Sequence, residues 1–225
     1  ITKSKIYFRN NLEEIISIIN IDKATIHFDE KKLFNIFELK GNVFAVPFSF
    51  ELNNKNNSIK EKEIKFKVKS LNLNMNNKSL EEKNSLIKGK NIISFLNSKL
   101  NTEYENDIES IKFNSNKSRI NNSKINYEGK LSINPFNLDL NINLNNFKIS
   151  KLFNPNTILI GFLKSDLLFN ENISLNTSLT VNSNTNEDFF HNAKIYFNIL
   201  NGRVNLDNSK FINEDIGLLE INNSN

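Results

Sequence analysis

Apolar and polar residues alternate one for one between Phe136 and Leu144, where the sequence reads FNLDLNINL. A period of two places successive side chains on opposite faces of a β-strand, so the leucines and isoleucine lie on one face. The other face carries asparagine and aspartate and contacts water. A sheet with this pattern must cover its apolar face, and what covers it is the main functional question.

The same alternation returns along much of the chain, in the segments 44–52, 125–133, 173–181 and 195–199. We therefore expect a mainly β protein, an extended and curved antiparallel sheet that forms an open hydrophobic groove, with a few short helices. Residues 1–225 would be one continuous groove segment. We expect this segment to belong to a longer protein, because it begins at Ile1 without a methionine.

Three segments have features of helices. Asn11 would cap a helix that continues to Ile19, with acidic residues in its first turn and apolar residues at helical spacing. A second helix is expected over 91–100. A third, which begins with Asn-Pro, is expected over 155–169. The last two would mark boundaries between structural units.

Strands are predicted before, between and after these helices. One of them, over 63–76, changes its apolar phase midway, which indicates a β-bulge. The other strands are expected at 5–8, 23–29, 33–40, 43–52, 108–115, 118–134, 136–148, 171–182, 191–200, 202–207 and 216–222.

Composition argues against several functional classes. The chain has 29 Lys and Arg against 25 Asp and Glu, a formal net charge of +4, and the charges are scattered along it. Arginine, which suits guanine and phosphate best, is nearly absent, so we expect no nucleic-acid partner. The absence of cysteine excludes disulfides and thiolate metal sites.

Catalytic chemistry has little basis in the sequence. His27 and His191 are the only histidines, and neither has a metal-ligand spacing. The chain contains no glycine-rich phosphate loop and no GxSxG nucleophile motif. We therefore expect no enzymatic activity, no metal and no cofactor.

Residues 21–29 (IDKATIHFD) end in Asp, residues 39–41 (LKG) end the next strand in Gly, and residues 47–50 (PFSF) embed Pro-Phe in the third. These short motifs resemble the strand succession of AsmA-like proteins, the family of AsmA, TamB and YhdP. Residues 129–136 (GKLSINPF) resemble a further family strand. Residues 201–206 (NGRVNL) are similar to the NGxVxL run of the AsmA C-terminal region.

The resemblance implies a periplasmic protein anchored to the bacterial inner membrane by a transmembrane segment outside these residues. The family is built of repeating β-groove units, related in architecture to the eukaryotic bridge-like lipid transfer proteins. Phospholipid acyl chains would pass along the groove between the inner and outer membranes and so support outer-membrane biogenesis. The family has no catalytic residues.

The apolar residues of the alternating segments are the expected lining of the groove. They are Phe44, Val46, Phe48, Phe50, Ile125, Tyr127, Leu131, Ile133, Leu138, Leu140, Ile142, Leu144, Leu175, Leu179, Ile195 and Phe197.

Two other functional classes stay open. One-sided strands also form the inner layers of a structural or adhesive sandwich or solenoid, with a closed core and no ligand. An enzyme that acts on polysaccharide would need facing carboxylates and usually aromatic platforms, and the absence of tryptophan disfavours it. The segment 155–169 would either plug the sheet or lie on a membrane surface. Its polar side is only weakly basic, which favours the plug.

Overall fold

The computed structural model describes residues 1–9, 13, 15–31, 33–56, 60–82, 86–153, 173–183 and 188–224. These residues form 17 β-strands and two short 3-10 turns, Lys69–Leu71 and Ile149–Phe153, with no α-helix among them. The expected mainly β fold class is confirmed. The strands are β1 (Thr2–Arg9), β2 (Ile15–Asp29), β3 (Phe34–Val43), β4 (Val46–Asn56), β5 (Lys60–Val68), β6 (Leu73–Glu81), β7 (Ile87–Phe95), β8 (Ser98–Asn106), β9 (Ser110–Ser115), β10 (Ser118–Ile120), β11 (Ser123–Ser132), β12 (Asn137–Asn145), β13 (Ser174–Asn182), β14 (Asn192–Leu200), β15 (Arg203–Asn205), β16 (Ser209–Asn213) and β17 (Gly217–Ile221).

The chain divides into two units, Ile1–Glu105 and Asn106–Asn225. In the first unit β1 to β7 form an antiparallel meander, in which each strand pairs with the next one along the chain. The side chains of β8 lie beside those of β7, since Lys90 Nζ is 3.1 Å from Glu103 Oε1.

In the second unit β11 has β9 and β10 along one edge and β12 along the other. β12 and β13 run parallel, whereas β13 and β14 are antiparallel. β15 and β16 share the outer edge of β14, and β17 pairs with β16. The expectation of an antiparallel sheet therefore holds for the described pairings except that of β12 with β13.

The helices expected at Asn11–Ile19 and over 91–100 are wrong. Residues from Ile15 onward belong to β2, and 91–100 falls in β7 and β8. Both segments are rich in isoleucine, which is stiff at χ1 and packs well on a pleated surface. Leu96, with φ of 50°, interrupts the second segment with a turn. The third expected helix, 155–169, lies outside the described residues.

Two segments expected to be single strands are pairs of strands. In 63–76, the 3-10 turn and Asn72, with φ of 49°, reverse the chain between β5 and β6. The change of apolar phase therefore marks a chain reversal, and the expected bulge is wrong. In 118–134, Asn121 adopts φ of 52° and the chain reverses between β10 and β11. Asparagine tolerates this left-handed conformation better than most residues.

Phe44 and Ala45 form the turn between β3 and β4. Their φ values are 50° and 61°, and Val43 pairs with Val46 across them. Two central residues with positive φ match the twist of a hairpin, but the conformation is unfavourable for residues with a Cβ atom. The Phe44 side chain is 75% exposed, so its expected place on a strand face is wrong.

Replacement of this turn by residues that favour positive φ should stabilise the first unit. We expect Phe44→Asn with Ala45→Gly to raise the free energy of unfolding by about 1–2 kcal/mol, because the left-handed strain is relieved at two positions. Urea denaturation of the double variant and of each single variant measures the change. An unchanged or lower stability of the double variant would contradict the assigned turn.

Asp188 connects the 3-10 turn after β12 to the chain before β14. Its buried carboxylate accepts hydrogen bonds from the backbone N–H of Ile149 at 2.8 Å, from Ser150 Oγ at 2.8 Å and from Ser183 Oγ at 3.0 Å. Burial raises the pKa of this carboxyl group, but the hydrogen bonds and nearby Lys148 lower it by more, so the net shift is downward.

Because the pKa of Asp188 is lowered by folding, its carboxylate stabilises the fold above the ordinary aspartate pKa. This contribution is lost as the pH falls through the folded-state pKa. We expect Asp188→Asn to lower the free energy of unfolding at pH 7 by about 1–3 kcal/mol. The variant should also lose less stability than the wild type below about pH 4. Denaturation curves between pH 2 and pH 7 test both statements, and parallel pH profiles would exclude the assigned role.

Candidate functional site

The strand registers of the second unit place four alternating apolar residues side by side on one face. In-register residues of neighbouring strands project to the same face of a sheet. The row crosses β11, β12, β13 and β14, and each member is partly exposed. We call it the middle row; its members are Tyr127, Ile142, Leu179 and Ile195.

Buried apolar side chains flank the middle row on the same face. On one side a row with relative exposures between 0% and 7% crosses from β11 to β16, and consists of Ile125, Leu144, Val181, Ala193 and Phe211. On the other side Leu175, Phe197 and Ile199 form a buried cluster, with Leu138 packed against it. The face is therefore apolar along the length of its strands.

Eleven of the sixteen residues predicted from the sequence lie on this face. They are Ile125, Tyr127, Leu131, Leu138, Leu140, Ile142, Leu144, Leu175, Leu179, Ile195 and Phe197.

The first unit has an apolar face of its own. One row crosses β3 to β7 through in-register pairs, and its members are partly exposed: Leu39, Phe50, Phe66, Met75 and Ile93. The predicted residues Val46 and Phe48 lie on the same face of β4. The ring centroids of Phe48 and Phe66 are 5.7 Å apart, and those of Phe37 and Phe50 are 6.1 Å apart, both within the range of favourable aromatic contacts.

Sequence reasoning missed four members of this row. Leu39 and Phe66 lie in segments where apolar and polar residues alternate, so the pattern that predicts an apolar face is present in their strands. Met75 follows the change of phase between β5 and β6, which hid its relation to Phe66. Ile93 was assigned to a helix, and only the register of β6 with β7 places it beside Met75.

A cavity of about 1360 Å³ lies at one end of the strands of the second unit. Its lining mixes polar and apolar groups, among them Ser110, Lys130, Ile133, Phe136, Ser174 and Leu200. Ile133 belongs to the turn after β11 and is 57% exposed, so its expected strand position is wrong. The cavity is therefore amphipathic. It adjoins the ends of the same strands whose side chains form the apolar face.

The opposite face of the second unit is a ladder of polar side chains. Across the parallel pair, Asn176 Nδ2 donates to Asp139 Oδ1 at 2.8 Å, and Ser178 Oγ donates to Asn141 Oδ1 at 3.1 Å. Asn182 continues the ladder on β13. The asparagines that disfavour strands by propensity are thus hydrogen-bonded between in-register positions.

The polar face of the first unit carries ion pairs. Lys65 Nζ lies 2.9 Å from Glu51 Oε1 and 3.3 Å from Glu63 Oε2, and Asn53 donates to both carboxylates. Burial raises the pKa of Glu51, but its hydrogen bonds to Lys65 and Asn53 lower it by more. These charges stay on the side of the sheet opposite to the apolar row.

Groups suited to other chemistry are sparse. His27 is exposed on β2, and no group of three or more His, Cys, Asp or Glu residues in the described part of the chain is placed to hold a metal ion. Within those same residues no helix is long and apolar enough to cross a membrane. The apolar faces are therefore the candidate functional surfaces.

No protein-family model matches the chain, and neither the curated proteins nor the solved structures give a match.

Gly129 lets an aromatic ring lie on the apolar face of the second unit. It lies opposite Phe113 on one side and Leu140 on the other, and a Cβ atom there would be 2.7 Å from Phe113 Cζ and would also contact the backbone oxygen of Asp139.

We expect Gly129→Ala to lower the free energy of unfolding by about 1–3 kcal/mol through overpacking. The control is Lys130→Ala, on the opposite face, which should change stability by less than about 0.5 kcal/mol. Equal effects of the two substitutions in thermal denaturation would contradict this packing.

Proposed function

We propose that this chain is a non-catalytic lipid-binding segment of an AsmA-like protein, in which the apolar face of each unit forms the floor of a groove for phospholipid acyl chains. The observation that carries the proposal is the middle row, in which Tyr127, Ile142, Leu179 and Ile195 stand side by side and remain partly exposed. The matching row of the first unit, from Leu39 to Ile93, supports the same conclusion.

A row of this kind suits a hydrocarbon chain. Burial of an acyl chain against apolar side chains is worth about 0.8 kcal/mol per methylene group. The contacts are non-directional and continue from strand to strand, so a bound chain has no single deep minimum and can slide along the row. Transfer along the groove then needs no covalent step and no cofactor.

The polar faces fit this arrangement. The ladder of Asn176, Ser178 and Asn182, and the ion pairs around Lys65, make the opposite faces polar. A sheet with one wet and one apolar face needs no second sheet on its wet side. The amphipathic cavity at the strand ends of the second unit would suit the polar headgroup of a lipid whose chain lies on the apolar face.

The cellular setting follows from the family resemblance. The proposed location is the bacterial periplasm, with attachment to the inner membrane by a transmembrane segment outside these residues. The cargo is phospholipid that travels between the inner and outer membranes during outer-membrane biogenesis. The motifs at 21–29 and 201–206 support this assignment.

A structural β-domain with a closed core is the second candidate. The buried row from Ile125 to Phe211, with exposures no higher than 7%, favours it, because such burial is typical of a closed core. The two candidates differ in whether the middle row contacts a lipid.

Lipid retention by charge variants distinguishes the candidates. Leu140→Asp with Ile142→Asp places two carboxylates on the apolar face of β12. Asn141→Asp with Asn143→Asp places the same charge on the polar face of the same strand. We expect phospholipid to co-purify with the wild type and with the polar-face variant, and to be lost from the apolar-face variant, because a carboxylate on the groove floor must be desolvated.

Native mass spectrometry and lipid extraction measure the bound lipid, and circular dichroism verifies that each variant is folded. Where the apolar-face variant does not fold, Ile142→Thr is the milder test. A lipid-free wild type, or equal lipid in all folded variants, would reject the groove in favour of the closed structural domain.

A further inference from the structure

Three lysines occupy one cross-strand row on the polar face of the first unit. Lys23 lies opposite Lys40, Lys40 lies opposite Ser49, and Ser49 lies opposite Lys67. All three lysine side chains are exposed, and they stand on three strands of one sheet. Like charges directly opposite each other in a sheet are destabilising. We call these four residues the lysine row.

The lysine row differs from its surroundings in lacking acids. None of its lysines forms an ion pair with any of the described residues. In the next row along the strands, Lys65 is paired with Glu51 and Glu63, while Thr25 Oγ1 donates to Glu38 Oε2 at 3.2 Å. The acids nearest to the lysine row are therefore engaged with other partners.

The like-charge pair Lys194 and Lys210, on β14 and β16, provides a comparison. There Glu220 neutralises one of the two charges, with Lys210 Nζ 3.4 Å from Glu220 Oε1. The lysine row has no such counter-charge, so an external anion would relieve its repulsion.

A small cavity lies between the lysine row and the next row along the strands, which contains Glu38, Glu51 and Lys65. Its volume is about 120 Å³, and Lys40, Ser49 and Lys67 line it together with Lys65. Glu38 and Glu51 border the same cavity, so its lining contains three lysines and two acids, and one of these acids, Glu51, is paired with Lys65. Ser49 adds a hydroxyl donor between the two free lysines.

We propose that the lysine row binds one phosphate group, held by charge-assisted hydrogen bonds from Lys40 and Lys67 and by the hydroxyl of Ser49, with Lys23 adding long-range attraction. The site lies on the opposite face of the sheet from Phe48 and Phe50, so it is separate from the acyl-chain floor. The anion site is a second binding site, and its existence does not depend on the proposed lipid function.

Titration with inorganic phosphate tests the site. In ¹H–¹⁵N NMR spectra of the full chain at constant ionic strength, the amides of Lys40, Ser49 and Lys67 should shift with phosphate in a saturable manner and not with chloride. Lys40→Gln with Lys67→Gln should weaken binding by about tenfold or more, and Ser49→Ala should weaken it less. The control, Lys194→Gln with Lys210→Gln, removes the same charge and should bind phosphate like the wild type.

Vesicles identify the source of the phosphate group. Flotation with phosphatidylglycerol vesicles that is lost in the Lys40/Lys67 double variant assigns the site to a lipid headgroup, with phosphatidylcholine vesicles as the comparison. Phosphate-dependent shifts without vesicle binding assign it to a free phosphate. Shifts of the same size with chloride, or phosphate binding that survives both lysine substitutions, would overturn the proposal.

Discussion

Strand register is the constraint on which the rest of this structure depends. Side chains alternate between faces with a period of two, so a shift of one residue in any pairing would move apolar residues to the wet face. The register of β11 through β14 keeps Tyr127, Ile142, Leu179 and Ile195 in one row. In the first unit, a bulge between Ile21 and Lys23 shifts the pairing of β2 with β3 by one residue. As a result, the apolar residues Ala24 and Leu39 lie opposite each other. Local irregularities thus preserve the separation of the two faces.

The two faces are stabilised by different interactions. On the apolar faces, burial and aromatic contacts such as Phe48 with Phe66 hold neighbouring strands together. On the polar faces the strands are connected by amide and hydroxyl hydrogen bonds in the second unit and by ion pairs in the first. This division keeps apolar and polar side chains on opposite faces of each sheet. The lysine row is a place where the polar face of the first unit departs from charge balance.

The sequence was sufficient to predict most strands and their faces, but not the turns or the strand partners. Alternation identified β12 and its neighbours, because the apolar or polar character of each residue indicates which face of the strand it occupies. It failed at 63–76 and 118–134, where Asn72 and Asn121 reverse the chain inside an apparently continuous pattern. It also misread Ile93 as helical, because a short isoleucine-rich run suits either period. Leu39, Phe66 and Met75 became one row only through pairing registers, which depend on contacts between distant strands. The lysine row is invisible in the sequence for the same reason.

Photocrosslinking at neighbouring positions of β12 tests the central claim that the apolar face of the second unit contacts acyl chains. Benzoylphenylalanine replaces Leu140 in one variant and Asn141 in another, and each is irradiated in bacterial cells before purification and mass spectrometry. We expect a phospholipid adduct at position 140 and none at position 141, because the two side chains project to opposite faces. Adducts at both positions, or at neither in a folded protein, would contradict it.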